Sequence, residues 1–97
     1  MKEPTKIIST KTEAQIQRAI LVKLEKLGWY VIKLIQTNKN GIPDLLCHKD
    51  GRTVYIEVKR PGHKPRALQV VRMRELMKAG IWSFVMSDIN ELEIIDT

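Results

Sequence analysis

Residues 38–62 read NKNGIPDLLCHKDGRTVYIEVKRPG and decide the fold of this chain. Two apolar runs in this stretch flank Asp50-Gly51. That dipeptide is a strong hairpin signal, because a type I′ turn needs positive φ at both of its central residues. A two-residue turn at this point also fixes the register of the two strands. It predicts that Asp44 lies directly opposite Glu57.

Three charged side chains therefore share one face of the predicted hairpin. Directly opposed residues point to the same side of a sheet, with Cβ atoms about 4.5–5.5 Å apart. Lys59 joins Asp44 and Glu57 on that face, because it lies two residues beyond Glu57 and side chains alternate along a strand. The opposite face of the same strand carries Val54, Ile56 and Val58.

A divalent cation would explain why two carboxylates stand together. Their mutual repulsion is destabilising unless a positive charge sits between them, and either Lys59 or a metal ion can supply it. Mg²⁺ commonly takes one or two protein carboxylates and keeps several waters for substrate phosphates. This chemistry suits phosphodiester cleavage, with the lysine orienting the nucleophile or stabilising developing charge. The predicted metal ligands are Asp44, Glu57 and the backbone carbonyl of Val58.

A solvated strand face is the alternative interpretation of the same residues. Exposed Glu and Lys are common on antiparallel strands, and roughly one chain in three of this length contains a chance Glu-x-Lys. The pairing geometry and the polar residues contributed by the helices favour a site over a solvated face.

The remaining patterns predict an α/β fold with the element order αβββαβ. Helices are predicted over residues 10–28 and 65–79, strands over 29–37, 42–48, 52–59 and 81–87, and a short closing helix over 89–95. Residues 1–9 are predicted to be a flexible arm. The third strand, second helix and fourth strand form a βαβ unit, so those two strands are predicted to be parallel in a mixed sheet flanked by helices.

Both main helices place a polar residue on the apolar stripe that should face the sheet. Gln69 lies one turn before Met73, and a buried amide needs partners that a metal site would provide. Glu13 continues the stripe of Ile16 towards the N-terminus of the first helix. A capping box between Thr10 and Glu13 is the competing explanation for that carboxylate. The predicted stripe of the second helix consists of Val70, Met73, Leu76 and Met77.

The charge distribution points to nucleic acid as the partner. The chain carries a net charge of +6 and has a pI near 9.7, which favours a polyanion. A basic loop before a helix N-terminus is suited to bind the backbone phosphates of DNA. A solvated loop is the alternative, and the strand aromatics are interpreted as core residues. The predicted DNA-contacting residues are Lys39, Arg60, His63, Lys64 and Arg66.

Other features limit the class of protein. Its 97 residues are expected to form one domain with a modest core. Cys47 is the single cysteine, so neither an intramolecular disulfide nor a cysteine-based zinc site is expected. The sequence shows no signal peptide or membrane span, so a cytoplasmic protein is expected.

The motifs together resemble the VRR-NUC branch of the PD-(D/E)xK nuclease superfamily. The resemblance rests on GIPDLL, the twelve residues between Asp44 and Glu57, EVK, PGHKPRALQ and the opening TEAQIQ, and it covers residues 12–86. It implies a restriction-endonuclease-like αβββαβ core and Mg²⁺- or Mn²⁺-dependent phosphodiesterase activity on DNA. It also implies a catalytic set that consists of Asp44, Glu57, Lys59, Gln69 and Glu13.

The chain also resembles minimal members of the family, which are virus-encoded or bacterial nucleases that act as dimers on branched DNA. This resemblance implies a homodimer that acts on branched DNA such as four-way junctions, in a bacterium or a virus-infected host. A metal-dependent DNA endonuclease is therefore expected. The main alternative is a non-catalytic DNA-binding module with the same fold, and a protein-binding adaptor is disfavoured by the charge.

Overall fold

The computed structural model describes residues 11–96, and the predicted arm over residues 1–9 lies outside them. The elements are α1 (Glu13–Lys26), β1 (Tyr30–Lys33), β2 (Leu45–Lys49), β3 (Arg52–Val58), α2 (Ala67–Lys78), β4 (Trp82–Met86) and a closing 3₁₀ helix (Ile89–Ile94). The predicted order of helices and strands is confirmed. The first two strands are shorter than predicted.

The four strands form one mixed sheet in the order β1-β2-β3-β4. β1 and β3 both run antiparallel to β2, and β4 runs parallel to β3 as the βαβ pattern predicted. The hairpin turn has φ of 50° at Asp50 and 78° at Gly51, as a type I′ turn requires. Leu45 pairs with Ile56 in the predicted register. One step further along the ladder, Asp44 therefore comes opposite Glu57.

The core lies between α1 and one face of the sheet. Period-two alternation sends one set of β2 and β3 side chains to that face, and helical spacing sends Ile16, Ile20 and Leu24 to meet them. Burying each such aliphatic side chain stabilises the fold by roughly 1.5–3 kcal/mol. The buried sheet residues of this core include Leu45, Cys47, Val54, Ile56, Val58 and Met86.

The cap of α1 differs from the predicted one. Thr12 is the N-cap: its hydroxyl accepts from the Gln15 backbone N–H, and the Gln15 side chain accepts from the Thr12 N–H. The predicted box of Thr10 with Glu13 is wrong by two residues, because Thr12 has the same capping chemistry and lies directly before the helix. Glu13 is consequently the first helical residue and takes no part in the capping box.

The second helix also departs from its prediction. It begins after an N-cap at Arg66 rather than at Pro65, and none of its residues is buried. The predicted stripe therefore covers the sheet only partly, because α2 packs mainly beside β4 at the sheet's edge. The aromatic prediction is likewise wrong in part, since Tyr30 is 72% and Trp82 60% exposed whereas Trp29 is buried.

The predicted short closing helix is present as the 3₁₀ helix, with Asp88 as its N-cap. The segment after it is fixed to the hairpin and to the connection between α1 and β1. Asp96 accepts hydrogen bonds from the Trp29 indole at 2.9 Å and from Lys49 Nζ at 3.1 Å. Across the part of the chain that the structure describes, no helix is long and apolar enough to cross a membrane.

The connection from β1 to β2 is held against α2. Arg72 Nε donates to the Asn40 carbonyl at 2.7 Å, and its guanidinium also pairs with Glu75. Gly41 has a φ of 82°, and a Cβ at that position would stand 2.9 Å from Leu68 Cγ. The connection thus needs glycine both for its backbone conformation and for its close approach to α2.

We expect Gly41→Ala to destabilise the protein more than Gly62→Ala does. Both glycines have a φ of 82°, but nothing lies within 4 Å of a Cβ at Gly62. The left-handed backbone costs each alanine about 1–2 kcal/mol, and only Gly41→Ala adds the clash with Leu68. Urea unfolding of the two variants measures the difference. Equal losses of unfolding free energy would show that α2 does not confine this connection.

Candidate active site

The candidate site lies at the edge of the sheet where β1, β3 and β4 end and β2 begins. Asp44 directly precedes β2, and its backbone carbonyl accepts from the Leu34 N–H at 2.8 Å. Its side-chain Oδ2 accepts from the Val58 N–H at 2.9 Å. The position of Asp44 is therefore fixed from both neighbouring strands. On the β3 side, its carboxylate accepts the hydrogen bond that a backbone carbonyl would otherwise accept.

Glu57 is the most confined charged group of the site. Its side chain is only 1% exposed, although it lies on the side of the sheet opposite the α1 core. Its Oε2 lies 3.4 Å from Lys59 Nζ and accepts from Gln69 Nε2 at 2.9 Å. Its Oε1 is buried and has no hydrogen-bond partner among the described residues. A buried carboxylate oxygen without a partner is costly unless a ligand completes it.

Burial and nearby negative charge raise the pKa of both carboxylates. Burial is the main cause that raises the pKa of Glu57 to about 7, and repulsion from Asp44 adds to it. Lys59 opposes this shift through its charge and hydrogen bond. Burial likewise raises the pKa of Asp44, while the Val58 N–H works in the other direction. The pair is short of positive charge, since one lysine does not offset two buried carboxylates.

The first helix contributes two polar residues to this cluster. The charge of Glu13 acts on both Asp44 and Glu57 and raises the pKa of each. Gln17 lies one turn further along α1, is half-buried, and hydrogen-bonds to Asp44. The sequence analysis missed Gln17. The i,i+4 spacing from Glu13 was the available signal, because residues so spaced share one helix face.

Gln69 makes two contacts with one amide. Its Nε2 donates to Glu57, and its Oε1 accepts from the backbone N–H of Arg66 at 2.8 Å. The prediction that Gln69 faces the sheet is confirmed in its geometry. This side chain connects the start of α2, and hence the end of the basic loop, to the buried carboxylate.

The predicted basic residues flank the acidic cluster but do not contact it. His63, Lys64 and Arg66 are exposed on the connection from β3 to α2, and Lys39 is exposed on the connection from β1 to β2. Arg60 is half-buried, and its Nε is buried without a partner within residues 11–96. Both connections join the sheet at the end where the carboxylates lie, so they carry positive charge at this end of the sheet.

The donor set fits a hard divalent cation better than zinc. Within residues 11–96, no three histidine, cysteine, aspartate or glutamate side chains are grouped closely enough to hold a metal ion. Cys47 lies in the core, where burial raises the pKa of its thiol to about 12. Two carboxylates with one unpartnered oxygen match the sparse oxygen ligation of Mg²⁺ or Mn²⁺. The residues present therefore fit the ion.

A surface cavity among the described residues lies away from the acidic cluster. It has a volume of about 580 Å³ and is lined by residues such as Trp82, Phe84 and Ile94, beside the 3₁₀ helix. No carboxylate lines it. Arg52 is the one charged residue among those that line this cavity, so we place the functional site at the carboxylates of the acidic cluster.

Two solved structures and one phage protein are similar to this chain. A solved structure described as "VRR_NUC domain" is 28% identical, with a TM-score of 0.75 over 86% of this chain and 91% of its own. A second, "VRR_NUC domain protein", is 19% identical with a TM-score of 0.62 and supports the fold alone. The "Putative nuclease p44" of Acyrthosiphon pisum secondary endosymbiont phage 1 is 28% identical over 70% of this chain and 74% of its own length. No family model matches the chain.

The fold is α/β, and its similarity to these proteins supports a nuclease. The solved structure at 28% identity and the phage relative narrow the class further. These similarities in structure and in sequence support a VRR-NUC domain nuclease.

We expect the metal-free protein to lose stability as the pH rises. The fold raises the pKa of Glu57 from the ordinary 4.5 of a glutamate to about 7, so between these two pH values the folded protein keeps a proton that the unfolded chain releases. This contribution to the free energy of unfolding is on the order of 3 kcal/mol. It is fully present below pH 4.5 and is lost as the pH rises through about 7. Asp44, whose pKa is also raised, contributes with the same sign.

Urea unfolding in EDTA across this pH range measures the effect. Glu57→Gln removes the titrating group and is expected to flatten the dependence. Glu25→Gln, on the exposed face of α1, is the matched control and should keep the wild-type slope. A Glu57→Gln variant with an unchanged slope would contradict the electrostatic account of the cluster.

Proposed function

We propose that the protein is a metal-dependent endonuclease that hydrolyses phosphodiester bonds in DNA. The observation that carries the proposal is the buried Glu57 carboxylate, which is held by Lys59 and Gln69 on one oxygen and has no partner on the other. A structural ion pair would satisfy both oxygens. A carboxylate kept half-satisfied next to a second carboxylate is suited to share a cation.

Asp44, Glu57 and the Val58 carbonyl are the groups that would hold Mg²⁺ or Mn²⁺. When bound, the ion polarises the phosphate and lowers the pKa of a coordinated water. Asp44 is oriented for this role by the Val58 N–H and by Gln17. The chain itself thus fixes the ligand before the ion arrives.

Lys59 is proposed to orient the attacking water and to stabilise negative charge on the phosphate. Its ammonium is buried beside Glu57, where a charge acts more strongly than it does in water. Gln69 holds the Glu57 carboxylate in place, and Glu13 adds a carboxylate from α1 at the border of the cluster. Lys59 is therefore the main cation of the site apart from the metal.

The basic residues are proposed to bind the DNA backbone. Lys39 lies on the connection from β1 to β2. Arg60, His63, Lys64 and Arg66 lie on the connection from β3 to α2. Phosphate contacts of this kind position the duplex without reading sequence, and they make the affinity fall as salt rises. The net charge of +6 supports the same partner.

The finer proposals concern the substrate form and the assembly. We propose that residues 1–97 form one domain, that the protein acts as a homodimer on branched DNA, and that it works in the cytoplasm of a bacterium or a virus-infected host. One site cuts one strand, so symmetric cleavage of a four-way junction needs a two-fold pair. Apolar side chains exposed on β1 and α2 support a self-contact: they are Tyr30, Ile32, Leu68, Val71 and Met77.

Cleavage of DNA with and without Mg²⁺ tests the proposal. Wild-type protein is expected to nick DNA only when the ion is present. Asp44→Asn and Lys59→Ala are expected to lower the rate by roughly 10²-fold or more, because each removes a group that acts at the reacting phosphate. Lys78→Ala, at the far end of α2, is the matched control for loss of one lysine and should keep its rate.

The non-catalytic binding module predicts a different result. DNA binding that survives in every variant, with no metal-dependent nicking by wild type, would support that alternative. On a synthetic four-way junction, the dimer proposal expects paired nicks at symmetric positions. Nicks on one arm only, or equal rates on junction and duplex, would contradict the branched-DNA proposal.

A further inference from the structure

An apolar side chain is exposed on the connection from β1 to β2, which leads to Asp44. Ile35 follows the end of β1 and is 87% exposed, more than any other large apolar side chain within residues 11–96. An exposed isoleucine forgoes the stabilisation that its burial would have contributed. An exposed apolar residue is ordinary when it is remote from function, so its meaning depends on its position.

The position of Ile35 is fixed relative to the carboxylates. Its chain neighbour Leu34 donates its backbone N–H to the carbonyl of Asp44 at 2.8 Å. Adjacent strands lie about 5 Å apart, and one residue along a strand adds about 3.3 Å. Ile35 therefore stands within about 10 Å of the Asp44 backbone, which corresponds to roughly three base steps of DNA.

The segment that carries Ile35 is held in place by the rest of the fold. Thr37 donates its hydroxyl to the Lys39 carbonyl at 2.6 Å, which closes a local turn. Beyond this turn, Arg72 on α2 holds the Asn40 carbonyl, and Gly41 packs against Leu68. The apolar side chain is thus presented by an anchored connection, at the end of a strand.

The charges around Ile35 suit a nucleic acid. The chain has no acidic residue between Glu25 and Asp44, whereas Lys33 and Lys39 are exposed on either side of Ile35. The same stretch contributes three exposed amide side chains, which can hydrogen-bond to bases or sugars: Gln36, Asn38 and Asn40. The apolar side chain of Ile35 can contact bases, while the neighbouring lysines can bind the phosphates on either side of those bases.

We propose that Ile35 is an apolar wedge that enters between bases at an unstacked or unpaired step of DNA near the scissile phosphate. The inference rests on the proposed function and gives it a source of substrate selectivity. Inserting an apolar side chain into paired duplex costs a few kcal/mol of unstacking. A branch point or an unpaired base has already lost part of that stacking, so the wedge favours it over duplex.

The test uses full-length protein in EDTA, so that binding is measured without cleavage. The probes are a four-way junction with 2-aminopurine at the branch point and a fully paired duplex that carries the same base. Wild type is expected to raise the fluorescence of the junction probe. Ile35→Ala should abolish that rise and weaken junction binding about tenfold, while duplex binding changes less than twofold.

Two further variants make the result specific. Ile35→Leu keeps the apolar volume and should restore both the fluorescence rise and the affinity. Ile94→Ala removes an isoleucine that is 60% exposed on the 3₁₀ helix, away from the acidic cluster, and should behave as wild type. This control accounts for any general effect of losing an exposed apolar side chain.

Each contrary outcome has a distinct meaning. A junction signal in Ile35→Ala equal to that of wild type would overturn the wedge. A shift in sedimentation of Ile35→Ala, with its DNA binding unchanged, would assign Ile35 to a contact between copies and would overturn it too. If wild-type protein cleaves DNA with the metal but does not raise the fluorescence of the junction probe, the wedge alone is rejected. If the fluorescence rises but no cleavage occurs with the metal, the nuclease proposal alone is rejected.

Discussion

The structure depends on the confinement of two carboxylates of like charge across one pair of strands. The ladder of β2 and β3 sets Asp44 against Glu57, and burial prevents water from screening their repulsion. Lys59 offsets only part of that charge, and one oxygen of Glu57 has no partner among residues 11–96. A domain with so small a core keeps this arrangement because both strands and both helices hold it in place.

The surrounding elements can be understood as supports for that pair. α2 supplies Gln69 to the glutamate, and its Arg72 holds the connection that leads to the aspartate. α1 supplies Gln17, which hydrogen-bonds to the aspartate. A slip of the hairpin by one residue would turn Glu57 into the apolar core, so the type I′ turn protects the site as much as the fold. Position and charge are therefore set by the same hairpin.

Local chemistry explains which features the sequence could predict. The Asp50-Gly51 turn requires positive φ and so fixes the register, from which the shared face of Asp44 and Glu57 follows. Gln69 was found because an amide on an apolar stripe needs a partner. The roles of the predicted site residues remain proposals, since their geometry is observed and their chemistry is not.

Tertiary contacts explain what the sequence analysis missed. Gln17 becomes informative only when α1 is placed over the end of the sheet, and the Arg72 contact with Asn40 joins residues 32 positions apart. The apolar stripe of α2 predicted burial, whereas the helix lies at an edge and leaves that stripe partly open. Periodicity identifies the face of a helix but does not determine how much of it the sheet covers.

A double-mutant cycle on cation affinity tests the central claim most directly. Mn²⁺ binding is measured by calorimetry for wild type, Asp44→Asn, Glu57→Gln and the double variant. If both carboxylates hold one ion, each single change removes most of the affinity and the second adds little, so the two effects are strongly non-additive. Independent effects that simply add, or wild-type affinity in either single variant, would contradict a shared site.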